Sequence, residues 1–124
     1  MKNSIRFYKT DDGFYELEET NNQNLLIIAF FLLHDASENE ELYKNWTESI
    51  EETFDGGTLT FVTKNTDGHV TINCILDEDD EFEPLTVTLS QKNFLDILQS
   101  WEDITQAEPE EIIIEEEDSI FSLR

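Results

Sequence analysis

A continuous apolar run from Leu25 to Leu33 constrains the fold of this chain more than any other feature of its sequence. All nine residues of the run are hydrophobic, so the segment must be buried on every side. An unbroken run shows neither the two-residue period of a half-buried strand nor the 3.6-residue period of an amphipathic helix, and both a buried strand and a buried helix stay open. Its length favours the strand. A helix that spans a bilayer needs roughly 20 such residues, so the run belongs to a protein core.

Two other segments have the spacing of amphipathic helices. The first is expected to run from Ser37 to about Phe54, because Ser37 and Glu40 have the three-residue separation of a capping box. The second is expected from Gln91 to about Ala107, with Ser90 as its N-cap and Pro109 beyond its end. The apolar residues that recur every three or four positions, and should face the core, are Leu42, Tyr43, Trp46, Ile50 and Phe54 in the first helix and Phe94, Ile97, Leu98, Trp101 and Ile104 in the second.

Strands are indicated by alternating apolar residues between turn signals. Ile5 and Phe7 mark a first strand, and the turn at 11–13 leads to a second over Phe14–Leu17. Three further strands, over Thr58–Thr63, His69–Leu76 and Leu85–Leu89, are expected to form an antiparallel meander. Their inward-facing residues would be Leu59 and Phe61, then Val70, Ile72, Cys74 and Leu76, then Leu85, Val87 and Leu89. The segments Ile112–Ile114 and Ile120–Leu123 read as one or two short strands around an acidic turn at Glu115–Asp118.

These elements predict one α+β domain over residues 1–124, an antiparallel sheet in the form of a meander with two amphipathic helices packed on it. The length of 124 residues suits one domain, and a content of 38% hydrophobic residues is enough for one core. The single cysteine, Cys74, cannot form an internal disulfide. Its isolation and the lack of an apolar export signal behind Met1 favour a cytoplasmic location.

The charge of the chain excludes several kinds of partner. Thirty acidic residues against seven basic ones give a net charge of −23 at neutral pH. Such a surface cannot neutralise phosphates, so we expect neither direct nucleic-acid binding nor docking on anionic membranes. A field of this size also opposes the compact state, and it has a use in steering association with a positively charged protein. A basic protein partner is therefore expected, although a merely solubilising role for the acids stays open.

The sequence offers little for catalysis, metals or cofactors. His34 and His69 lie far apart and belong to no zinc-binding pattern, so His34 is expected at a strand end and His69 in a hairpin. An EF-hand loop beginning at Asp77 would need glycine and glutamate where the chain has Phe82 and Thr88. No glycine-rich phosphate loop is present. We therefore expect no enzyme activity, no cofactor, no metal and no small-molecule substrate.

The segment from Ser90 to Trp101, followed by Ile112–Ile114, together with the small size and acidity, resembles bacterial immunity proteins of contact-dependent growth inhibition and related polymorphic toxin systems. The resemblance covers roughly residues 85 to 123 as a pattern and transfers no individual site residue. It implies a cytoplasmic protein that binds and neutralises one cognate toxin domain, commonly a nuclease. The alternative is a nucleic-acid mimic that inhibits DNA-binding or restriction proteins.

The densest acidic clusters are the candidate contact sites for such a partner, because both fall in predicted turns. The first choice is the loop over residues 77–83, in which Phe82 can act as an aromatic anchor or fold back onto the core. The second choice is the turn over residues 115–118. The candidate partner-binding residues are Asp77, Glu78, Asp79, Asp80, Glu81, Phe82 and Glu83, and then Glu115, Glu116, Glu117 and Asp118.

Overall fold

A computed structural model describes residues 3–18, 22–37, 39–54, 60–74, 85–118 and 120–124. Within these residues the chain forms two antiparallel sheets and three α-helices, which confirms the α+β class with antiparallel strands. The strands are β1 Asn3–Lys9, β2 Tyr15–Leu17, β3 Thr53–Phe54, β4 Thr60–Lys64, β5 His69–Cys74, β6 Leu85–Ser90, β7 Glu111–Glu117 and β8 Ile120–Leu123. The helices are α1 Gln23–Phe30, α2 Glu40–Thr47 and α3 Gln91–Gln106, and a π-helical segment, Phe31–Ala36, continues α1.

The first sheet joins the two ends of the chain in the strand order β2-β1-β7-β8. The expected hairpin of β1 and β2 is confirmed, and Gly13 takes the left-handed conformation (φ 86°) that its turn requires. Ile5 and Phe7 are buried, and they pair in register with Ile114 and Ile112 of β7. These four side chains belong to the inner face of the sheet.

The second sheet has the order β3-β4-β5-β6, which confirms the predicted meander. Val70, Ile72 and Cys74 are buried as expected, as are Val87 and Leu89. Leu59, Leu76 and the side chain of Leu85 lie outside the described part of the chain.

The prediction of which β4 side chains face the core is wrong. Thr60 and Val62 are buried, whereas Phe61 is only half-buried. The buried carboxylate of Asp35 accepts hydrogen bonds from the backbone N–H and the hydroxyl of Thr60, at 2.7 and 2.5 Å. A satisfied polar residue can occupy the inner face, so hydrophobicity alone misjudged which side of the strand is buried.

The expectation of one sheet and two helices is also corrected, because the strands separate into two sheets and α1 is a third helix. Helix α1 contacts β1 and β7 of the first sheet and β5 and β6 of the second. Pairing of β1 with β7 connects opposite ends of the chain, which local periodicity cannot reveal. The buried apolar residues of both sheets and all three helices form one cluster.

The apolar run over residues 25–33 is helical, so the predicted strand is wrong. The side chain of Asn22 caps α1 by accepting a hydrogen bond from the N–H of Leu25 at 3.0 Å. The helix contacts both sheets, and a helix buried on all sides is apolar around its whole circumference. Continuation through the π-helical segment gives a helical stretch to Ala36, which is why the length of the apolar run misled the prediction.

The helix predicted over residues 37–54 is much shorter in the structure. Helix α2 covers Glu40–Thr47, and Thr53 and Phe54 form the edge strand β3. The ammonium group of Lys64 donates to the carbonyl oxygens of Trp46 and Ser49, so a basic side chain from β4 caps the end of the helix.

Two residues that were predicted to face the core are exposed, Leu42 on the outer side of α2 and Ile50 beyond its end. Tyr43 and Trp46 are buried as expected and Phe54 is partly buried, but Leu42 is 53% exposed and Ile50 is 99% exposed. Ile50 lies in the turn after the helix, where the helical spacing no longer decides its direction.

The predicted capping box of Ser37 and Glu40 is wrong as well, because the side chain of Ser37 makes its hydrogen bonds elsewhere. Its hydroxyl donates to the carbonyl of Leu32 at 3.0 Å and accepts from the indole N–H of Trp101 at 2.9 Å. It therefore closes the π-helical segment and anchors α3. The N-cap of α2 is Asn39, whose side chain donates to the carbonyl of Asp35 instead of capping the helix. His34, expected at a strand end, lies in the π-helical segment and stacks on Phe30.

Helix α3 agrees with the prediction. Ser90 caps it by accepting from the N–H of Asn93 at 3.0 Å, and its buried apolar residues are Phe94, Ile97, Leu98 and Trp101, with Ile104 partly buried. The side chain of Asn93 reaches β8, where it donates to the carbonyl of Phe121 at 2.7 Å and accepts from its N–H at 2.9 Å. These two bonds close the outer edge of β8 at that residue.

The acidic turn predicted over residues 115–118 is corrected in position. Strand β7 continues through Glu117, and Glu115 pairs in register with Ser122 of β8. Only Asp118 of the predicted turn lies in the connection, with the left-handed φ of 53° that aspartate tolerates better than most residues. The apolar strand before it imposes pairing on the glutamates, so an acidic stretch need not be a turn.

Candidate protein-binding surface

The first predicted contact site, the acidic loop over residues 77–83 with Phe82, lies outside the described residues. Its role stays a prediction. The strands on either side of it, β5 and β6, pair antiparallel with Cys74 opposite Leu85. Cys74 and Leu85, the described residues nearest to the loop on either side, are therefore neighbours at one end of the β5–β6 pair.

The second predicted site divides into residues with different environments. Glu115 is buried and forms an ion pair with Arg124, and Glu116 accepts a hydrogen bond from the side chain of Asn3 at 3.4 Å. Glu117 and Asp118 are exposed. Two of the four acids are thus engaged within the first sheet, and two face solvent.

A shallow pocket of about 330 Å³ lies at this end of the β7–β8 hairpin. Its lining includes Glu117, Asp118 and the side chain of Ile120, which is 63% exposed. The predicted cluster therefore contributes a small acidic surface with one apolar side chain.

The basic side chains are largely used inside the molecule. Five of the six that the structure describes contact protein oxygen atoms, and Lys92 is the sixth. Their partners are Glu111 for Arg6, Glu102 for Lys44, Glu115 for Arg124, the carbonyl of Glu108 for Lys9, and the carbonyls of Trp46 and Ser49 for Lys64. The side chains of Arg6, Lys44 and Arg124 pair with carboxylates, and the seven basic residues of the chain leave an excess of 23 negative charges, so the field at the surface is strongly negative.

A groove in the described part of the chain combines acids with an exposed aromatic ring, and we call it the Phe14 groove. It has a volume of about 680 Å³ and lies where the β1–β2 hairpin, the π-helical segment, α2 and α3 approach one another. Its lining residues are Phe14, Tyr15, Leu33, Ser37, Glu40, Glu41, Glu102, Thr105 and Gln106. Phe14 is 73% exposed, which is unusual for a large aromatic side chain.

Hydrogen bonds hold the walls of the Phe14 groove. The hydroxyl of Tyr15 donates to the carbonyl of Pro109 at 2.7 Å, and the ammonium of Lys44 bridges α2 to Glu102 of α3 at 2.9 Å. Partial burial, and then the carboxylates of Glu108 and Glu110, raise the pKa of the Tyr15 hydroxyl above its ordinary value. The walls are fixed, while Phe14 and the exposed Glu41 are open to solvent.

The buried reactive groups are suited to structure. Burial, with a further contribution from the charge of Asp35, raises the pKa of the Cys74 thiol to about 11. Because the thiolate is the nucleophile, a thiol with this pKa on the inner face of β5 is inert at neutral pH. Asp35 itself binds Thr60 and connects the π-helical segment to β4.

Two further properties concern metals and membranes. Within the described residues, no group of three or more histidine, cysteine, aspartate or glutamate side chains is arranged to hold a metal ion. None of the helices described here has the length and apolar character that crossing a membrane would require.

Comparison with known proteins assigns no relative. No family model, no curated protein and no solved structure matches the chain. The resemblance to immunity proteins therefore stays a hypothesis that depends on sequence pattern and charge.

The Phe14 groove was not predicted from the sequence, although the sequence contains a signal for one of its residues. In β2, Tyr15 and Leu17 pack against the core, so the two-residue period directs Phe14 and Glu16 outward. The position of Glu41 and Glu102 beside that hairpin depends on tertiary packing, for which the sequence carried no local signal.

Proposed function

We propose that this protein is a non-enzymatic, cytoplasmic immunity protein that binds and neutralises a basic toxin domain, with a nuclease as the favoured class. The observation that carries the proposal is the distribution of charge. Five of the six described basic side chains have protein partners, while the Phe14 groove offers exposed Phe14 beside carboxylates. A positively charged surface is the natural complement of this arrangement.

The chemistry of the Phe14 groove suits lysine and arginine side chains of a partner. An arginine guanidinium can stack on an exposed aromatic ring within about 6 Å of its centroid, a contact worth roughly 0.5–1 kcal/mol at exposed sites. The carboxylate of Glu41 can accept charge-assisted hydrogen bonds from the same group. Aromatic and charged contacts of this kind concentrate binding energy in few residues.

Fast association is a second reason to connect the charge with toxin capture. A net charge of −23 attracts a basic protein over a Debye length of about 8 Å at physiological salt. A nuclease carries a positive groove for phosphates, which carboxylates can occupy. A protein that protects its own cell from such an enzyme needs rapid capture, and electrostatic steering provides it.

The proposal is tested by capture of partners from the lysate of the source organism at low and at raised salt. The test variant is Glu41→Lys, and the matched control is Asp96→Lys, which makes the same charge change at an exposed position of α3 outside the groove. We expect one basic protein that persists at raised salt, is lost with the test variant and is kept by the control.

Other results would contradict the proposal. A broad set of DNA-binding proteins that all dissociate at raised salt would favour the nucleic-acid mimic, since a mimic reads charge with little discrimination. If no protein is captured, the acidic residues are explained by a role in solubility instead of partner binding.

A further inference from the structure

The end of helix α2 and the edge strand β3 form an apolar groove of about 290 Å³, which we call the Leu42 groove. It is lined by Leu42, Asn45, Trp46, Ser49, Glu51, Thr53 and Phe54. Ile50, between two of these residues in sequence, is 99% exposed, and Leu42 is 53% exposed. Single exposed apolar residues are ordinary, but here two of them adjoin a groove that also contains an indole and a phenyl ring.

Trp46 gives a second, independent observation at this groove, because its indole N–H lacks a hydrogen-bond partner among the described residues. Its side chain is 4% exposed, and its indole N–H makes no hydrogen bond to any described residue. Most buried polar groups of proteins have a partner, and an unpaired donor costs roughly 1–3 kcal/mol. The other tryptophan, Trp101, donates its indole N–H to Ser37.

Thr53 of the edge strand β3 also lines the Leu42 groove. The N–H of Lys64 donates to the carbonyl of Glu52 at 2.7 Å, and Phe54 pairs with Val62. In an antiparallel pair, bonded and non-bonded residues alternate, so the N–H and C=O of Thr53 are directed away from β4. An edge residue that also lines the groove can contribute backbone hydrogen bonds to a bound segment.

Acidic residues lie on the segment between α2 and β3, which contributes to this groove. Glu48, Glu51 and Glu52 flank Ile50 in sequence, and all three are exposed. The ammonium group of Lys64 lies over the Trp46 ring, 5.1 Å from its centroid, and is bound to the carbonyls at the end of α2. An apolar centre with a charged rim is the usual anatomy of a protein interface.

The charge of the rim decides which occupant fits. A second copy of this chain would place like charges against one another, which costs several kcal/mol in an interface. A partner with lysine or arginine around an apolar side chain complements both the rim and the centre.

We infer that the Leu42 groove, with Ile50, is a docking surface for an apolar side chain flanked by basic residues on a protein partner. The inference rests on the proposed function, since it assigns a further contact surface to the same basic partner. The Phe14 groove supplies charge and one aromatic ring, whereas the Leu42 groove adds the apolar contact that can distinguish one basic protein from another.

The experiment is a titration of the full-length protein with synthetic peptides, followed by the NMR signals of its two indole N–H groups. Trp46 lines the Leu42 groove, and Trp101 is bonded to Ser37 of the Phe14 groove, so the two signals report the two surfaces separately. Three peptides are compared, namely leucine flanked by lysines, glycine flanked by lysines, and leucine flanked by glutamates.

We expect the lysine–leucine peptide to shift the Trp46 signal and to bind at least tenfold more tightly than either of the other two. The double variant Leu42→Gln/Ile50→Gln should remove that tenfold advantage. Both positions are exposed, so the variant should fold, and an unchanged pattern of the remaining NMR signals checks that it does. The control Phe14→Gln changes the other groove and should leave the advantage of leucine intact.

The possible failures are distinguishable. Equal binding of both lysine peptides, a shift of Trp101 alone, or an unchanged leucine advantage in the double variant would overturn the Leu42 groove while leaving the proposed function standing. Lack of binding by both lysine peptides would overturn this inference and also remove the electrostatic basis of the proposed function.

Discussion

The side chain of Asn93 is expected to be one of the most important single polar groups for stability. It occupies a buried position in α3 and makes both a donated and an accepted hydrogen bond with the main chain of Phe121, which is 2% exposed. Substitution Asn93→Ala leaves the N–H and the C=O of Phe121 without these partners. Phe121 belongs to β8, so the change affects the strand that supports the Glu115–Arg124 ion pair.

The magnitude follows from the two groups that lose their partners. Each buried, unsatisfied polar group costs about 1–3 kcal/mol, and water that enters the vacated space reduces the sum. We therefore expect the free energy of unfolding to fall by about 2–4 kcal/mol, a large part of the roughly 5–15 kcal/mol that a domain has. In urea this corresponds to a midpoint lower by about 1–2 M at an unchanged slope of the transition.

Urea denaturation followed by circular dichroism measures the loss, with Asn45→Ala as control. Asn45 is exposed on α2, and alanine is the better helix former, so the control should be unchanged or slightly more stable. Hydrogen exchange of the Phe121 amide should accelerate in Asn93→Ala alone. A loss below about 1 kcal/mol together with unchanged protection of that amide would refute the reasoning.

Three other predictions concern buried groups and the predicted acidic loop. Asp35→Ala removes the acceptor for the N–H and the hydroxyl of Thr60, so the free energy of unfolding measured by urea denaturation should fall by about 3 kcal/mol. An unchanged free energy of unfolding would contradict a structural role for Asp35. The pKa of the Cys74 thiol is raised from 9.0 to about 11, so as the pH rises the unfolded chain releases this proton before the folded protein does. The contribution of the protonated thiol to the free energy of unfolding is therefore complete below pH 9 and is lost as the pH rises toward 11. The loss between those values should be smaller in Cys74→Ala, and rapid reaction of the native thiol with a disulfide reagent at pH 8 would show the pKa argument to be wrong. Asp79→Lys with Glu81→Lys should weaken binding of the captured partner at least tenfold, about 1.4 kcal/mol, and an unchanged affinity would remove the loop over residues 77–83 from the interface.

Elements with strong local signals were predictable from the sequence. Ser90, the apolar spacing of α3 and the alternation of Val70, Ile72 and Cys74 each specify one structure, and the structure agrees with them. In these segments the local preference and the burial pattern point to the same element.

The predictions from sequence failed where tertiary contacts determine the local structure. The apolar run of α1 is compatible with two structures, and contact with both sheets selects the helix. Lys64, far from α2 in sequence, caps the end of that helix, and Ile50 beyond the end is exposed. The β-branched Thr53 and aromatic Phe54 are strand-forming residues and were the one local sign that the helix ends early.

The candidate surface was predictable only in its charge. Composition gives an acidic surface, from which a basic partner is predicted, and the acidic residues at 115–118 were identified as a cluster. Which acids remain available could not be read from the sequence, because the burial of Glu115 depends on Arg124 at the end of a neighbouring strand. The Phe14 groove likewise depends on the approach of four separate segments.

The most direct test of the proposed function is a growth assay with the basic protein captured from the lysate. That protein is expressed from an inducible promoter in bacterial cells, alone or together with this protein, and colony formation is counted. Expression alone should stop growth, and co-expression of the native chain or the Asp96→Lys control should restore it, whereas Glu41→Lys should not. Growth that stops equally with and without the native chain would contradict a neutralising function.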